Sequence, residues 1–243
     1  VELDGRVALV TGAGRRIGRA IAVALGAARM RVAVHYRASA DEAEETCETI
    51  RAQGGEAALF AADLANAEAP AALVDAVASH FGALDVLVNS AATMERTPVD
   101  AVTVEQWDAM FALNLRAPFF VAQGAARHML GRGGAIVNIA DLAAYETWPA
   151  YVPHSITKAG VVQMTRGLAR ALAPEIRVNA VAPGAVLLPE DWNEDTADRL
   201  RATTPLRRLG APEDVVQAVL YLLRADYVTG ETIIVDGGRH VRV

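Results

Sequence analysis

Lysine is almost missing from this chain: of 23 cationic side chains only Lys158 is a lysine, and the other 22 are arginine. Cysteine is equally scarce. Cys47 stands alone, which excludes an intrachain disulfide and a cysteine-rich zinc site; its Ala/Glu-rich helical surroundings make it a small, partly buried side chain. No apolar run approaches the ~18 residues of a membrane span. A net charge of −6 argues against electrostatic binding to nucleic acid or to an anionic membrane. The amino end, VELDGRVALV, lacks the basic-then-apolar pattern of a signal peptide, so a soluble cytoplasmic protein is expected. His80, His128 and His240 are scattered, and no metal site is expected.

What the chain does contain is apolar: 53% of its 243 residues are hydrophobic against 21% charged, enough for a substantial core. Short β-branched runs alternate with longer Ala/Leu/Arg-rich stretches of helical spacing. The runs occupy 6–12, 31–37, 57–64, 84–92, 135–141, 176–184 and 232–238. They are nearly continuous in apolar residues, as strands covered on both faces should be. No linker or internal repeat interrupts them. The pattern predicts one domain over 1–243: an α/β fold with a single doubly wound parallel sheet of about seven strands and helices on both faces. Ligands then belong at the carboxyl ends of the strands.

The first strand end reads VTGAGRRIGRAIAVAL. Gly12, Gly14 and Gly18 permit a tight turn and a close approach of backbone amides to a pyrophosphate, and the following helix adds its positive amino end. Arg15, Arg16 and Ile17 join that candidate cradle. The second strand ends HYRAS, with His35, Tyr36, Arg37 and Ser39 and no carboxylate before Asp41. A carboxylate there would hydrogen-bond the ribose of NAD; Arg37, helped by Arg15 and Ser39, would instead hold a 2′-phosphate. NADP(H) is the expected cofactor.

Taken in order, TGAGRRIG, AADL, NSAA, NLRAPFF, the lysine-bearing helix, VNAVAPG and VTGETIIVDGG make the whole chain resemble the short-chain dehydrogenases/reductases, with their Rossmann fold. The resemblance implies that Asp63 and Leu64 hold the adenine and that Asn89 and Ala91 line the ribose and nicotinamide. It places Asn114 in a catalytic water relay and Pro183, Gly184 and Val186 at the carboxamide. Within that family TGAGRRIG, HYRAS and Asp141 are similar to the pteridine reductases, with Arg16 in place of the middle glycine and Asp141 in place of the catalytic serine. Arg16, Met94 and Tyr151 are the candidate substrate contacts. A homotetramer is implied, joined through the helices carrying NLRAPFFVAQGAARHML and the catalytic segment. The acidic stretch 191–198 corresponds to a mobile lid over the substrate, or to a solvated helix face.

The stretch AYVPHSITKAG departs from the family. His154, not tyrosine, stands four residues before Lys158, and that spacing puts both on one face of a helix. The family's lysine binds the nicotinamide ribose and assists the neighbouring acid, work that suits a compact ammonium better than a guanidinium. Neutral imidazole is a poor acid, so a donor role for His154 requires imidazolium. Asp141 favours that cation and Lys158 opposes it. The expected catalytic set is Asp141, His154, Lys158 and Asn114. The leading expectation is NADPH-dependent hydride transfer to a small planar C=N or C=O substrate of the dihydropterin or dihydrofolate class. A general carbonyl or 3-oxoacyl reductase and a non-catalytic NADPH-binding protein are the alternatives.

Overall fold

Burial on both faces explains why the apolar runs are continuous rather than alternating. The computed structural model describes residues 2–146, 148–187 and 194–241. Its strands are β1 (Val7–Val10), β2 (Arg31–Tyr36), β3 (Glu56–Ala61), β4 (Val86–Asn89), β5 (Gly134–Ile139), β6 (Ile176–Pro183) and β7 (Thr232–Val235). They form one seven-stranded sheet in the order β3-β2-β1-β4-β5-β6-β7, the doubly wound sheet expected from the sequence. Every pairing is parallel; Leu9 lies level with Ala33 on one side and with Leu87 on the other. Several strands end earlier than the apolar runs do. The run 84–92, for example, is strand only over Val86–Asn89, and the residues after it turn into a loop at the sheet's carboxyl edge. Strand order reverses between β1 and β4, so the chains leaving those two strands diverge and open a crevice.

The helices are α1 (Arg16–Ala27), α2 (Ala40–Ala52), α3 (Ala69–Phe81), α4 (Val104–Phe111), α5 (Ala117–Met129), α6 (Val152–Leu172), α7 (Glu194–Thr203) and α8 (Pro212–Arg224). The period-two geometry of a strand sorts β1 between two cores. Ala8 and Val10 join Ile21 and Leu25 of α1 and Leu222 of α8. Val7 and Leu9 join Val74 of α3 and Val121 of α5 on the opposite face. Val161 and Val162 of α6 cover Ala180 and Ala182. Burying each such leucine or valine contributes roughly 1.5–3 kcal/mol. Cys47 belongs to the first core and is fully buried, and that burial pushes its thiol up to about 11, which makes it an inert packing group.

Between α4 and α5 the chain widens into a single π-helical turn, Ala112–Arg116, where the amide of Ala117 reaches back to the carbonyl of Ala112. Sequence supplies the cause. Pro118, just beyond, has no N–H to give the carbonyl of Asn114 and its ring crowds that carbonyl. The widened turn carries the buried Asn114. Among the described residues no helix is long and apolar enough to cross a membrane. Of the acidic stretch 191–198, residues 194–198 begin α7, and 191–193 lie outside the described residues.

Candidate active site

The glycine turn after β1 is fixed by crowding. Gly12 has a φ of 67°, and a Cβ there would lie 2.9 Å from Cα of Ala91, so only glycine allows the two loops to touch. A Cβ on Gly18 would lie 2.1 Å from the carbonyl oxygen of Gly12, so α1 rests directly on the turn. Thr11 closes the seam: its hydroxyl oxygen accepts from the amides of Ser90 (2.9 Å) and Ala91 (3.1 Å). Helix α1 starts at Arg16 with no side-chain cap on Arg15 and no acidic residue in its first turn. Its first amides and its positive end therefore face the crevice unneutralised, which is the chemistry of a pyrophosphate site. On the β4 side, Asn89 donates to Asn138 Oδ1 (2.9 Å) and to the carbonyl of Pro118 (3.2 Å), while its own buried Oδ1 has no protein partner. An unpaired buried acceptor at that strand end suits a ribose hydroxyl. The residues present fit a dinucleotide.

Around this turn Arg15 and Arg37 are exposed, and Tyr36 and Ser39 are half-buried, with Ser39 at the amino end of α2 making no cap bond of its own. The Ser39 hydroxyl stands 2.9 Å from where a Gly14 Cβ would be, so the two motifs meet. Ile17 is half-buried on the first turn of α1. Asp63 shapes its own loop by accepting from the amide of Ala65 at 3.0 Å. Ala91 sits against Gly12. Pro183 ends β6, and Gly184 follows with its amide on the carbonyl of Val235 (2.9 Å) and with no room for a Cβ beside Asp236.

Several expected ligand contacts need correcting. His35 is not on the cofactor surface: it is 2% exposed, with Nδ1 accepting from the Gly12 amide (3.0 Å) and Nε2 within 3.1 Å of the Ala62 carbonyl. Leu64 turns inward and packs with Leu73 and Val74, so its side chain is a core group. Val186 likewise points into the core, packed with the β5, β6 and α8 cluster. Arg16 adopts a left-handed conformation (φ 53°), the region glycine enters most readily, and its guanidinium donates to the carbonyl of Leu187 at 2.7 Å. It bridges the crevice rather than pointing at the turn's amides. Tyr151 lies outside α6, at its amino end (φ −138°), where its ring meets Trp148 edge-on at 6.3 Å. It does not share the helix face of His154. Met94 is 40% exposed in the loop after β4.

The catalytic candidates do come together. Asp141 ends the β5 run and caps a short 3₁₀ turn, with Oδ1 accepting from the Ala143 amide at 2.8 Å. Its Oδ2 stands 3.6 Å from Nε2 of His154. The His154 ring is 2% exposed; Nδ1 lies 3.3 Å from the carbonyl of Thr93 and 3.5 Å from Nδ2 of Asn114, and Nε2 has no hydrogen-bond partner. Asn114 is held by a reciprocal pair with Thr93: its Oδ1 accepts from the amide (2.8 Å) and its Nδ2 donates to the carbonyl (2.7 Å). One turn on, Lys158 is buried and donates to the Ile139 carbonyl at 2.9 Å. Burial pulls the Lys158 ammonium below its usual range, and the charge of Asp141 partly restores it. Two oxygens, the Thr93 carbonyl and the Asp141 carboxylate, flank the His154 ring, and the Asn114 amide lies against its Nδ1 as a donor.

Sequence reasoning missed the residues that hold these groups. Thr11 and Asn138 are polar positions inside apolar runs and Thr165 lies on α6, yet Asn138 joins Asn89 to the Thr165 hydroxyl (2.9 Å). Thr93 left no signal, because its backbone rather than its side chain does the holding.

The model for proteins described as enoyl-(acyl carrier protein) reductase matches residues 12–240. The 3-oxoacyl-[acyl-carrier-protein] reductase of Staphylococcus aureus is 37% identical, over 96% of this chain and 98% of its own length. Versicolorin reductase 1 of Aspergillus parasiticus is 38% identical over 98% and 97%, and glucose 1-dehydrogenase 2 of Bacillus subtilis 35% over 98% and 95%. Among solved structures, a double mutant of a Serratia marcescens short-chain dehydrogenase/reductase superposes with a TM-score of 0.93 at 36% identity, covering 99% of this chain and all of the other. With the parallel sheet, the glycine turn and the lysine-bearing helix in register along the whole length, the chain belongs to the short-chain dehydrogenase/reductase family.

Proposed function

We propose that this protein is an NADPH-dependent carbonyl reductase in which Asp141 and His154 together hold the proton given to the substrate oxygen. As a family member it is an oxidoreductase that uses a nicotinamide cofactor. A ketone is favoured over a pterin because relatives matching nearly the full length include an oxoacyl reductase and a sugar dehydrogenase. The observation that carries the reading is the buried His154 ring, with an unpartnered Nε2 facing Asp141 and Lys158 one turn away.

When bound, the reduced nicotinamide supplies a hydride to the carbonyl carbon. The chain's own part is to bind, orient and protonate. The amides opening α1 take the pyrophosphate, and Arg37 with Arg15 and Ser39 takes the 2′-phosphate. Asn89 Oδ1 accepts from the ribose, and Lys158 gives it a compact donor beside Ile139. As negative charge develops on the substrate oxygen, the Asp141–His154 pair delivers its proton there. The Thr93 carbonyl steadies the ring, and Asn114, in its widened turn, links it to a path for reprotonation. NADPH oxidation in the presence of 3-oxoacyl thioesters, cyclic ketones and sugars tests this reading; binding without turnover of any of them would favour the non-catalytic alternative.

A second reading, a pterin or folate reductase, is kept by Asp141 and HYRAS. Dihydrobiopterin and dihydrofolate belong in the same assay, and a pterin outrunning every ketone in kcat/KM would select it. Assembly as a homotetramer belongs to the proposal as well. A shallow groove of about 600 Å³ runs beside the exposed Phe119 and Phe120 of α5 and is lined also by Leu115 and Met164, on the helices expected to pair.

A further inference from the structure

We propose that His35 is a positioning residue of the dinucleotide site, a neutral imidazole that sets the spacing between the pyrophosphate turn after β1 and the adenine wall after β3. The proposal rests on the reading of this crevice as a dinucleotide site. Strands β1 and β3 are not neighbours; β2 separates them, and His35 is the penultimate residue of β2. Backbone bonds make part of the link, from the Ala13 amide to the His35 carbonyl (2.8 Å) and from the Ala62 amide to the Tyr36 carbonyl (3.0 Å). The ring adds two more. The amide of Gly12 can only donate, so Nδ1 must be bare to accept it; the carbonyl of Ala62 can only accept, so Nε2 must carry the hydrogen. One tautomer of the neutral ring satisfies both, and imidazolium satisfies only one.

The consequences fall on the ligand side. With Gly12 in its left-handed conformation against Ala91, its N–H is directed inward at β2 rather than at the crevice. An interior amide of this kind is costly to leave unpaired. Removing its acceptor therefore favours a different turn, and the turn leads straight into the amides that open α1. On the other side, the carbonyl that Nε2 holds belongs to Ala62, immediately before Asp63. Burial pulls the His35 ring down to about 4, against a partly opposing bond from Ala62 and the charge of Asp63, which keeps the ring in its neutral form near neutral pH. Asp63 is the charged group that acts on the ring; the turn from Gly12 to Gly14 contributes none.

Two substitutions separate positioning from mere stability. In His35→Asn the amide oxygen can stand where Nδ1 stands and accept from Gly12, but the contact with Ala62 is lost. In His35→Gln the longer amide can reach Ala62, but Gly12 loses its acceptor. Both variants give up one buried bond and should lose similar Tm. Two readouts are then compared: amide hydrogen exchange at Gly12 and Ala13 in the cofactor-free protein, and Kd for NADPH by fluorescence titration. The expected result is that Asn stays within about threefold of wild type in both, while Gln exchanges and dissociates about tenfold more readily. Equal behaviour of Asn and Gln in exchange and in Kd overturns the proposal, since His35 is then an ordinary core residue. Wild-type protein that binds neither NADPH nor NADH brings down the reductase reading itself, and the cofactor role of His35 with it.

Discussion

At the scale of single residues, the proposed preference for NADPH rests on Arg37 and Ser39, which follow a strand end with no carboxylate. NADPH should bind at least about tenfold tighter than NADH, a difference of about 1.4 kcal/mol. Arg37→Ala should erase most of that gap by weakening NADPH while leaving NADH nearly unchanged; parallel titrations decide it, and equal losses for both would mean Arg37 does not meet the 2′-phosphate. Lys158→Arg keeps the charge, but a planar fork does not fit a buried site built around one carbonyl, so kcat and Tm should both fall, and kcat measured well below the lowered Tm shows the loss that is not mere unfolding. His35 also leaves a mark on acid stability. Its folded-state ring is pulled from the ordinary 6.5 to about 4, so between those values the unfolded chain binds the proton first. Stability from this ring is thus intact above about pH 6.5 and declines as pH falls toward 4, by as much as about 3 kcal/mol. Denaturant unfolding of wild type and His35→Asn at pH 7 and pH 4.5 should show a steeper decline in wild type. The glycines after β1 and the lone Lys158 stood out in the sequence by spacing and by rarity, whereas Asp141 stood out only through the family resemblance. The burial of His35 was not legible there: its ring's partners lie 23 and 27 residues away, and only the parallel pairing of β1, β2 and β3 brings them together.

At the scale of elements, the π-turn is where local sequence and function meet. Pro118 denies the Asn114 carbonyl its helical partner, and the extra residue in that turn aims Asn114 at Thr93 and His154. Pro118→Ala should let a regular α-helix run from α4 into α5. The expected outcome is unchanged or higher Tm with lower kcat, a combination that simple destabilisation cannot produce. Unchanged kcat would show that Asn114 keeps its place without the widened turn. Strand positions were readable from continuous apolar runs, since two buried faces leave no polar alternation. Strand ends were not. Thr11, Asn89 and Asp141 sit where the ladder stops and side-chain bonds take over, and no local pattern marks that change.

At the scale of the whole molecule, the alternation of strand and helix pointed to one parallel doubly wound sheet of about seven strands, whereas the strand order, with its reversal between β1 and β4, is set by long-range pairing that no local pattern marks. The proposed homotetramer rests on the family resemblance and on one exposed apolar face. Phe119 and Phe120 are 39% and 41% exposed on α5 beside the open groove. Sedimentation should report a tetramer, and Phe119→Asp with Phe120→Asp should yield a smaller species that remains folded. A wild-type monomer would contradict that assembly.

The central claim is that His154, paired with Asp141, stands in the proton path that tyrosine serves elsewhere in the family. Its most direct test is the pH dependence of kcat for one ketone substrate in wild type, His154→Tyr and His154→Phe, with NADPH affinity measured for each. Wild type and the Tyr variant should both turn over the ketone, with different pH profiles, because an imidazole–carboxylate pair and a phenol are different proton donors. The Phe variant should lose roughly 10²–10⁴ in kcat at unchanged NADPH affinity. A Phe variant with wild-type kcat and the same pH profile would contradict the claim.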